Sequence, residues 1–374
     1  MTPSIDYEFI SENFPTLKDM AYLNNAATGI PPMATINAIK QYLDNRVNAK
    51  GNFQETKKSL GKIRENLGIL LGGKFSEFGL VPNTSLGLNM IGHGIEYSED
   101  ANIVVCDLEF PANYVPWQNI AKLKGIELRV VKSENGAASI DKFKEKIDEN
   151  TRVVSVSLVQ FASGYRSDTK ALADEVHKHG GYLVADIIQA AGWADIDLNK
   201  MGIDFASAQA AKWLVGPIGA GFIYVNEKLL DTLTPKFLGW WSVKDQEEFS
   251  YFEREIISDA RKFEVGSPSM VSYVGFLKSL EVLLKIPNKD RESAAVANAD
   301  HLRKQLDELG VSFYDFEKTH RSPIVSCTPP NIEDLHKKLT EAKIHCSVRN
   351  GRLRVSPHFY NTFEEIDRLV EKIR

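Results

Sequence analysis

Residues 182–225 read YLVADIIQAAGWADIDLNKMGIDFASAQAAKWLVGPIGAGFIYV. Two short apolar runs frame the stretch, Tyr182 to Ala185 and Phe222 to Val225. Runs this short, bounded by turn formers, suit strands buried on both faces of a parallel sheet. The first stops at an acid, Asp186; the second follows Lys212 and a Gly-Pro-Ile-Gly-Ala-Gly turn. An acid just past a strand sits at the carboxyl edge of the sheet, where open α/β folds hold ligands. Taken singly, such an Asp is commonly a helix cap and such a Lys a solvated charge. Their pairing, with Gln189 three residues past the acid, is far more specific.

An acid and a lysine converging on one sheet edge suit pyridoxal 5'-phosphate (PLP). The amine forms a Schiff base, and the carboxylate keeps the pyridine nitrogen protonated so that the ring draws electrons. The order Asp186-x-x-Gln189, Asp204-Phe205, then Lys212 before Gly216-Pro217-x-Gly219-x-Gly221 resembles the fold type I PLP enzymes of the class V aminotransferase family. Cysteine desulfurases, isopenicillin N epimerase-like proteins and C–S lyases belong to that branch. The similarity runs from Tyr22-Leu23-Asn24-Asn25-Ala26-Ala27 to Arg354.

The resemblance implies an α/β fold: a mostly parallel central sheet flanked by helices, plus a smaller C-terminal α+β domain. It implies a large PLP-binding domain over 17–265, with 1–16 and 266–374 forming the small domain. Lys212 is the expected catalytic residue, joined covalently to PLP. Thr84, Ser85, Phe110, Asp186, Gln189, Gln209 and Ser267 are the expected cofactor contacts. Thr84 and Ser85 lie where a helix is expected to start, and a helix N-terminus favours an anion. Phe110 stands where desulfurases place a His against the ring; it can stack but moves no proton. Ser267, in the motif Phe263-Glu264-x-Gly266-Ser267-Pro268, implies a homodimer in which it reaches the neighbouring subunit's phosphate. Asn25, Ala27 and Arg354 are the expected substrate contacts, Arg354 through a bidentate pair with the α-carboxylate.

The 374 residues suffice for a large core and a second domain. A net charge of −5, without a basic block, gives nucleic acid or an anionic membrane no purchase. No run approaches a membrane span, and the N-terminus lacks the pattern of a secretory signal. Three cysteines, Cys106, Cys327 and Cys346, form no CxxC pair, which fits free thiols in a reducing cytoplasm. The eight histidines do not gather with other ligands, so no metal is expected. Helices are expected near 33–48, 54–72, 168–180, 270–285, 294–309, 331–342 and 362–373, and a loop after the strand at 103.

Two departures bear on the reaction. Ala211 precedes the lysine where relatives carry His, and Gln209 stands where they carry Ser. Desulfurases need a mobile cysteine shortly before the C-terminal Arg; here 349–354 is the compact Arg-Asn-Gly-Arg-Leu-Arg, and Cys346 falls in a strand-like segment. An aminotransferase-like reaction at the α-carbon of an amino acid is therefore the leading expectation. Desulfurase-type or C–S lyase β-elimination and epimerisation are alternatives. A PLP-fold protein that has lost catalysis is the non-enzymatic one.

Overall fold

The computed structural model describes residues 5–249 and 253–374. Its strands are β1 (Ala21–Tyr22), β2 (Phe78–Val81), β3 (Asn102–Cys106), β4 (Glu127–Val131), β5 (Thr151–Ser157), β6 (Tyr182–Asp186), β7 (Phe205–Gln209), β8 (Gly221–Val225), β9 (Val325–Cys327), β10 (Ile344–His345), β11 (Ser347–Arg349) and β12 (Arg352–Val355). Its helices are α1 (Tyr7–Asn13), α2 (Met33–Val47), α3 (Phe53–Leu71), α4 (Thr84–Gly94), α5 (Pro111–Lys124), α6 (Ile140–Lys144), α7 (Thr169–Lys178), α8 (Met270–Leu283), α9 (Asn288–Glu308), α10 (Ile332–Glu341) and α11 (Phe363–Ile373).

The central sheet has the order β2-β8-β7-β6-β5-β3-β4. β3 to β7 run parallel, while β8 is antiparallel to both its neighbours. β3, β6 and β8 are almost wholly buried, as strands covered by helices on both faces must be. This is the mostly parallel α/β architecture expected from the apolar runs. The chain leaves β3 for β4 on one side and returns to β5 on the other. Such a reversal opens a crevice at the carboxyl ends of the strands. Those ends deliver Glu109 and Phe110 after β3, Gln160 and Phe161 after β5, Asp186 at the end of β6, and Gln209 to Lys212 after β7.

A second core lies under the antiparallel sheet β11-β12-β9, with Leu302, Leu339, Leu353 and Ile366 at its centre. The packing divides the chain differently from the expected boundaries. Ile10 and Phe14 join the core of the central sheet, whereas Ala21 and Leu23 join the second core, where β1 pairs with β10. α8 also packs with the first core, through Tyr273, Phe276 and Leu280. The reason is apolar matching: α8 buries a face against α2 and α3.

The segment after β3 is a helix rather than the expected loop. Pro111 opens α5 at its first position, where a missing N–H costs nothing. Pro116, inside the same helix, disguised it. Among the described residues no helix is long and apolar enough to cross a membrane.

Candidate active site

Lys212 sits in the turn between β7 and β8, and its surroundings hold it there. The Gly29 N–H donates to the Ala211 carbonyl at 2.9 Å, and the Val215 N–H donates to the Lys212 carbonyl at 2.9 Å. Gly29 passes so close that a Cβ on it would stand 2.0 Å from the Lys212 carbonyl oxygen. Only glycine lets the 24–29 loop lie against the lysine turn. The Lys212 ammonium lies 5.5 Å from the centroid of the Phe110 ring, and Phe110 meets Phe161 edge to face at 5.1 Å.

Asp186 is 2 % exposed. Among the described residues its carboxylate has one hydrogen bond, from the Ile188 N–H to Oδ1 at 2.9 Å. Burial pushes its pKa up from 3.8 to about 7; the Ile188 N–H and Lys212 oppose the rise, and the Glu109 charge adds to it. Burial pulls the Lys212 pKa down from 10.5 to about 8, against the attraction of Asp186 and with the help of Arg354 and Arg349. The pair is thus a carboxyl that needs a proton or a cation beside it, and an amine that gives up its proton far more readily than an exposed lysine.

Thr84 is the first residue of α4. Asn83 caps the helix, accepting from the Leu86 N–H at 2.9 Å, so the Thr84 hydroxyl is not spent on the cap. It is buried without a hydrogen-bond partner. Ser85 is exposed and shares a hollow with Asn89 and Phe110. α4 lies tight on the sheet, since a Cβ at Gly87 would stand 2.2 Å from the Ser207 hydroxyl on β7. Arg354, on β12, is 2 % exposed; its Nη1 donates to the Phe161 carbonyl at 2.7 Å and its Nε is buried without a partner.

Other expected site residues are already engaged. Gln189 donates Nε2–H to the Ala26 carbonyl at 3.0 Å and accepts from the Trp213 indole at 2.7 Å. It is a strut between the two segments that flank Lys212. Asn25 donates Nδ2–H to the Ser356 carbonyl at 2.9 Å and accepts from the Tyr360 hydroxyl; it is buried and leaves no polar atom for a substrate. Ala27 is half-buried beside it. Gln209 ends β7, half-buried and paired with Gly221 across the ladder, its side chain without a hydrogen bond among the described residues. Ser267 is exposed, at an apolar hollow lined by Leu86, Met90, Gly219 and Phe237.

Sequence reasoning missed Glu109. It is buried, with no cation against it, and accepts from the Ser157 N–H at 2.9 Å, the Gln160 amide at 2.8 Å, the Asn113 amide at 2.7 Å and the Cys106 thiol at 3.3 Å. These bonds fix the β3–α5 turn and so the ring of Phe110. The signal was available: Glu109, like Asp186, is an acid just past a buried strand.

A sequence profile of the class V aminotransferases matches residues 21–369. The chain belongs to that family. It is 26 % identical to a probable cysteine desulfurase of Methanothermobacter thermautotrophicus, over 98 % of this chain and 97 % of that one. It is equally similar to an uncharacterized aminotransferase of Bacillus subtilis, over 96 % and 95 %. An apo cysteine desulfurase from Thermococcus onnurineus superposes with a TM-score of 0.88 at 22 % identity, over 99 % and 98 % of the two chains. The cystine C–S lyase C-DES, solved with its product cysteine persulfide, gives 0.89 at 21 %, over 96 % and 98 %.

The cofactor is PLP. The polar atoms left over in this class V chain fit it: an underpartnered buried carboxyl at Asp186, a buried amine of lowered pKa at Lys212, and an unpartnered hydroxyl at the start of α4.

Proposed function

We propose that this class V enzyme is a C–S lyase that breaks the Cβ–S bond of an amino acid by β-elimination, without a thiol of its own. One observation carries the reading. Lys212 and Asp186 are both in place and feel each other's charge, and all three cysteines are buried. Cys346 precedes β11, and burial raises its thiol to about 12, so it is neither exposed nor ionised as a persulfide-forming nucleophile must be. The similarity to probable cysteine desulfurases and to the cystine C–S lyase fold supports sulfur-bond chemistry over the aminotransfer expected first.

The residues divide the work as follows. Thr84 Oγ1 and the amides opening α4 hold the phosphate. The Asp186 carboxylate keeps a proton on the pyridine nitrogen, which relieves its own buried charge. Phe110 packs against the ring face. Arg354 grips the substrate α-carboxylate, using the Nε that now lacks a partner. PLP, when bound, supplies the sink for the electron pair left at Cα. The Lys212 amine takes the Cα proton, and its pKa, lowered by burial to about 8, leaves a larger neutral fraction near pH 7 than an ordinary lysine has. The pair at Cα then expels the sulfur substituent, and Lys212 or water returns a proton to the departing sulfur.

Ser267 extends the proposal to a homodimer: its apolar hollow is a face that a second copy would cover, bringing Ser267 to the partner's phosphate. Light scattering tests that point.

The test of the reaction uses purified protein loaded with PLP. Borohydride should trap the cofactor on the peptide containing Lys212. A β-sulfur amino acid should then yield pyruvate, ammonia and a sulfur product with no keto acid added. Turnover that appears only with a keto-acid acceptor would refute the lyase reading in favour of aminotransfer.

A further inference from the structure

The last hairpin carries three arginines on one face. β11 and β12 pair Ser347 with Arg354 and Arg349 with Arg352. Residues opposed in an antiparallel ladder, or two apart along a strand, point to the same side. Arg349, Arg352 and Arg354 therefore share a face. The register is pinned by the turn, Asn350-Gly351, with φ of 51° and 71°; a two-residue hairpin of this type needs both left-handed. Arg349 and Arg354 are diagonal neighbours, roughly 7–8 Å apart at Cα.

Like charges directly opposed in a ladder are destabilising, and two cations of this face, the half-buried Arg352 and the buried Arg354, each have one backbone carbonyl as acceptor and a buried Nε without a partner. Arg352 lies 4.0 Å over the Tyr314 ring and donates Nη2–H to the Ser326 carbonyl at 3.1 Å. Arg354 faces Phe161 and keeps its Nε unpartnered. Arg349 is exposed, and its one hydrogen bond runs to the adjoining Val348 carbonyl at 2.8 Å. Among the described residues neither Arg349 nor Arg354 pairs with a carboxylate. Burial lowers the pKa of both Lys212 and Arg354, and the Arg349 charge adds to the shift of each. It is thus part of the pocket's field, whereas an ordinary solvated arginine at a hairpin tip would be screened from it.

We infer that Arg349 is a second anion subsite, so that the substrate is an amino acid whose side chain ends in an acid group: α-carboxylate on Arg354, distal acid on Arg349. The inference rests on the amino-acid site proposed above and names its substrate class. An anion bridging the two guanidiniums would neutralise a face that no protein acid neutralises. Arg349, exposed at the tip of the hairpin, is free to reach it.

The PLP-loaded protein is titrated by calorimetry with glutarate and with pentanoate, which share a chain length and differ by one carboxylate. Glutarate is expected to bind roughly tenfold more tightly, the scale of one partly desolvated charge pair. Arg349→Gln should bring the two ligands to within about twofold of each other, and Arg349→Lys should keep part of the preference. Equal binding in the wild type, or a preference unchanged in Arg349→Gln, overturns the inference. Borohydride labelling of Lys212 in the same samples reports separately on the cofactor site. A labelled lysine without diacid preference sinks the subsite alone. An unlabelled lysine sinks the PLP reading at Lys212, while the diacid preference still decides the subsite.

Discussion

Removing the cofactor should expose the cost of the buried Lys212–Asp186 pair as a pH dependence of stability. In the unfolded chain Asp186 titrates near its ordinary 3.8, and in the folded protein near 7. Between those values the native state holds a proton that the unfolded state has lost. Stability must therefore fall as pH rises through that window. The full shift corresponds to a loss on the order of 4 kcal/mol by pH 7–8. Lys212 works in the opposite direction. Its pKa drops from 10.5 to about 8 on folding, so the penalty for its charge is present below pH 8 and is relieved as pH rises toward 10. The two shifts share one mutual attraction and do not add. The apoprotein should show a stability minimum near pH 7–8. Urea unfolding of the PLP-free protein at a series of pH values measures this directly. Asp186→Asn, which keeps the acceptor for the Ile188 N–H but cannot ionise, should abolish the decline between pH 4 and 7. It should also leave the apoprotein more stable than wild type at pH 7.5, although it impairs catalysis. A wild-type curve that is flat over this range, or an Asp186→Asn curve with the same slope, would refute the argument from burial.

Further outcomes follow from other contacts. Gly29→Ala places a methyl 2.0 Å from the Lys212 carbonyl; it should cost at least about 2 kcal/mol in urea unfolding and reduce borohydride labelling of Lys212, because the 24–29 loop must lift from the lysine turn. Arg64 and Glu264 form a buried ion pair at 2.6 Å, and Glu264 also accepts from the Leu80 N–H at 2.9 Å. Arg64→Met should therefore cost about 3–5 kcal/mol by leaving that carboxylate uncompensated, and a loss under 1 kcal/mol would contradict the assignment. Cys346→Ser should release sulfur product from a β-sulfur amino acid at a rate within about twofold of wild type, since a thiol held near 12 is not a nucleophile. Loss of activity with intact folding would restore the desulfurase reading.

What could be read from the chain, and what could not, follows from where each signal lives. Strands buried on both faces announce themselves as apolar runs, so β3, β5, β6 and β8 were legible, and with them the ends that carry Asp186 and Lys212. α5 was obscured by Pro116, which reads as a breaker but is tolerated inside the helix. The cores could not be apportioned from sequence because packing partners are distant in the chain: Phe14 meets Phe359 and Tyr360, while Ala21 pairs with Ile344.

The polar residues divide by a different rule, and it bears on function. Gln189 and Asn25 stand where the family pattern puts ligand contacts, yet each amide already has a protein partner at both its nitrogen and its oxygen. Thr84, Asp186 and Arg354 have atoms left over. A buried polar group without a partner costs on the order of 1–3 kcal/mol, so a fold retains several in one place only if something else completes them. Residue type and spacing nominate candidates, and the hydrogen-bond inventory narrows them only where an unpartnered atom falls on a residue already nominated, since Asn66, Trp241 and Arg303 also carry one. By that criterion the proposed site would take a ligand with an anionic group at α4, a protonated ring nitrogen at Asp186 and a carboxylate at Arg354. Arg349, unpaired on the same hairpin face as Arg354, makes the carboxylate end of that pocket more cationic than a single carboxylate requires.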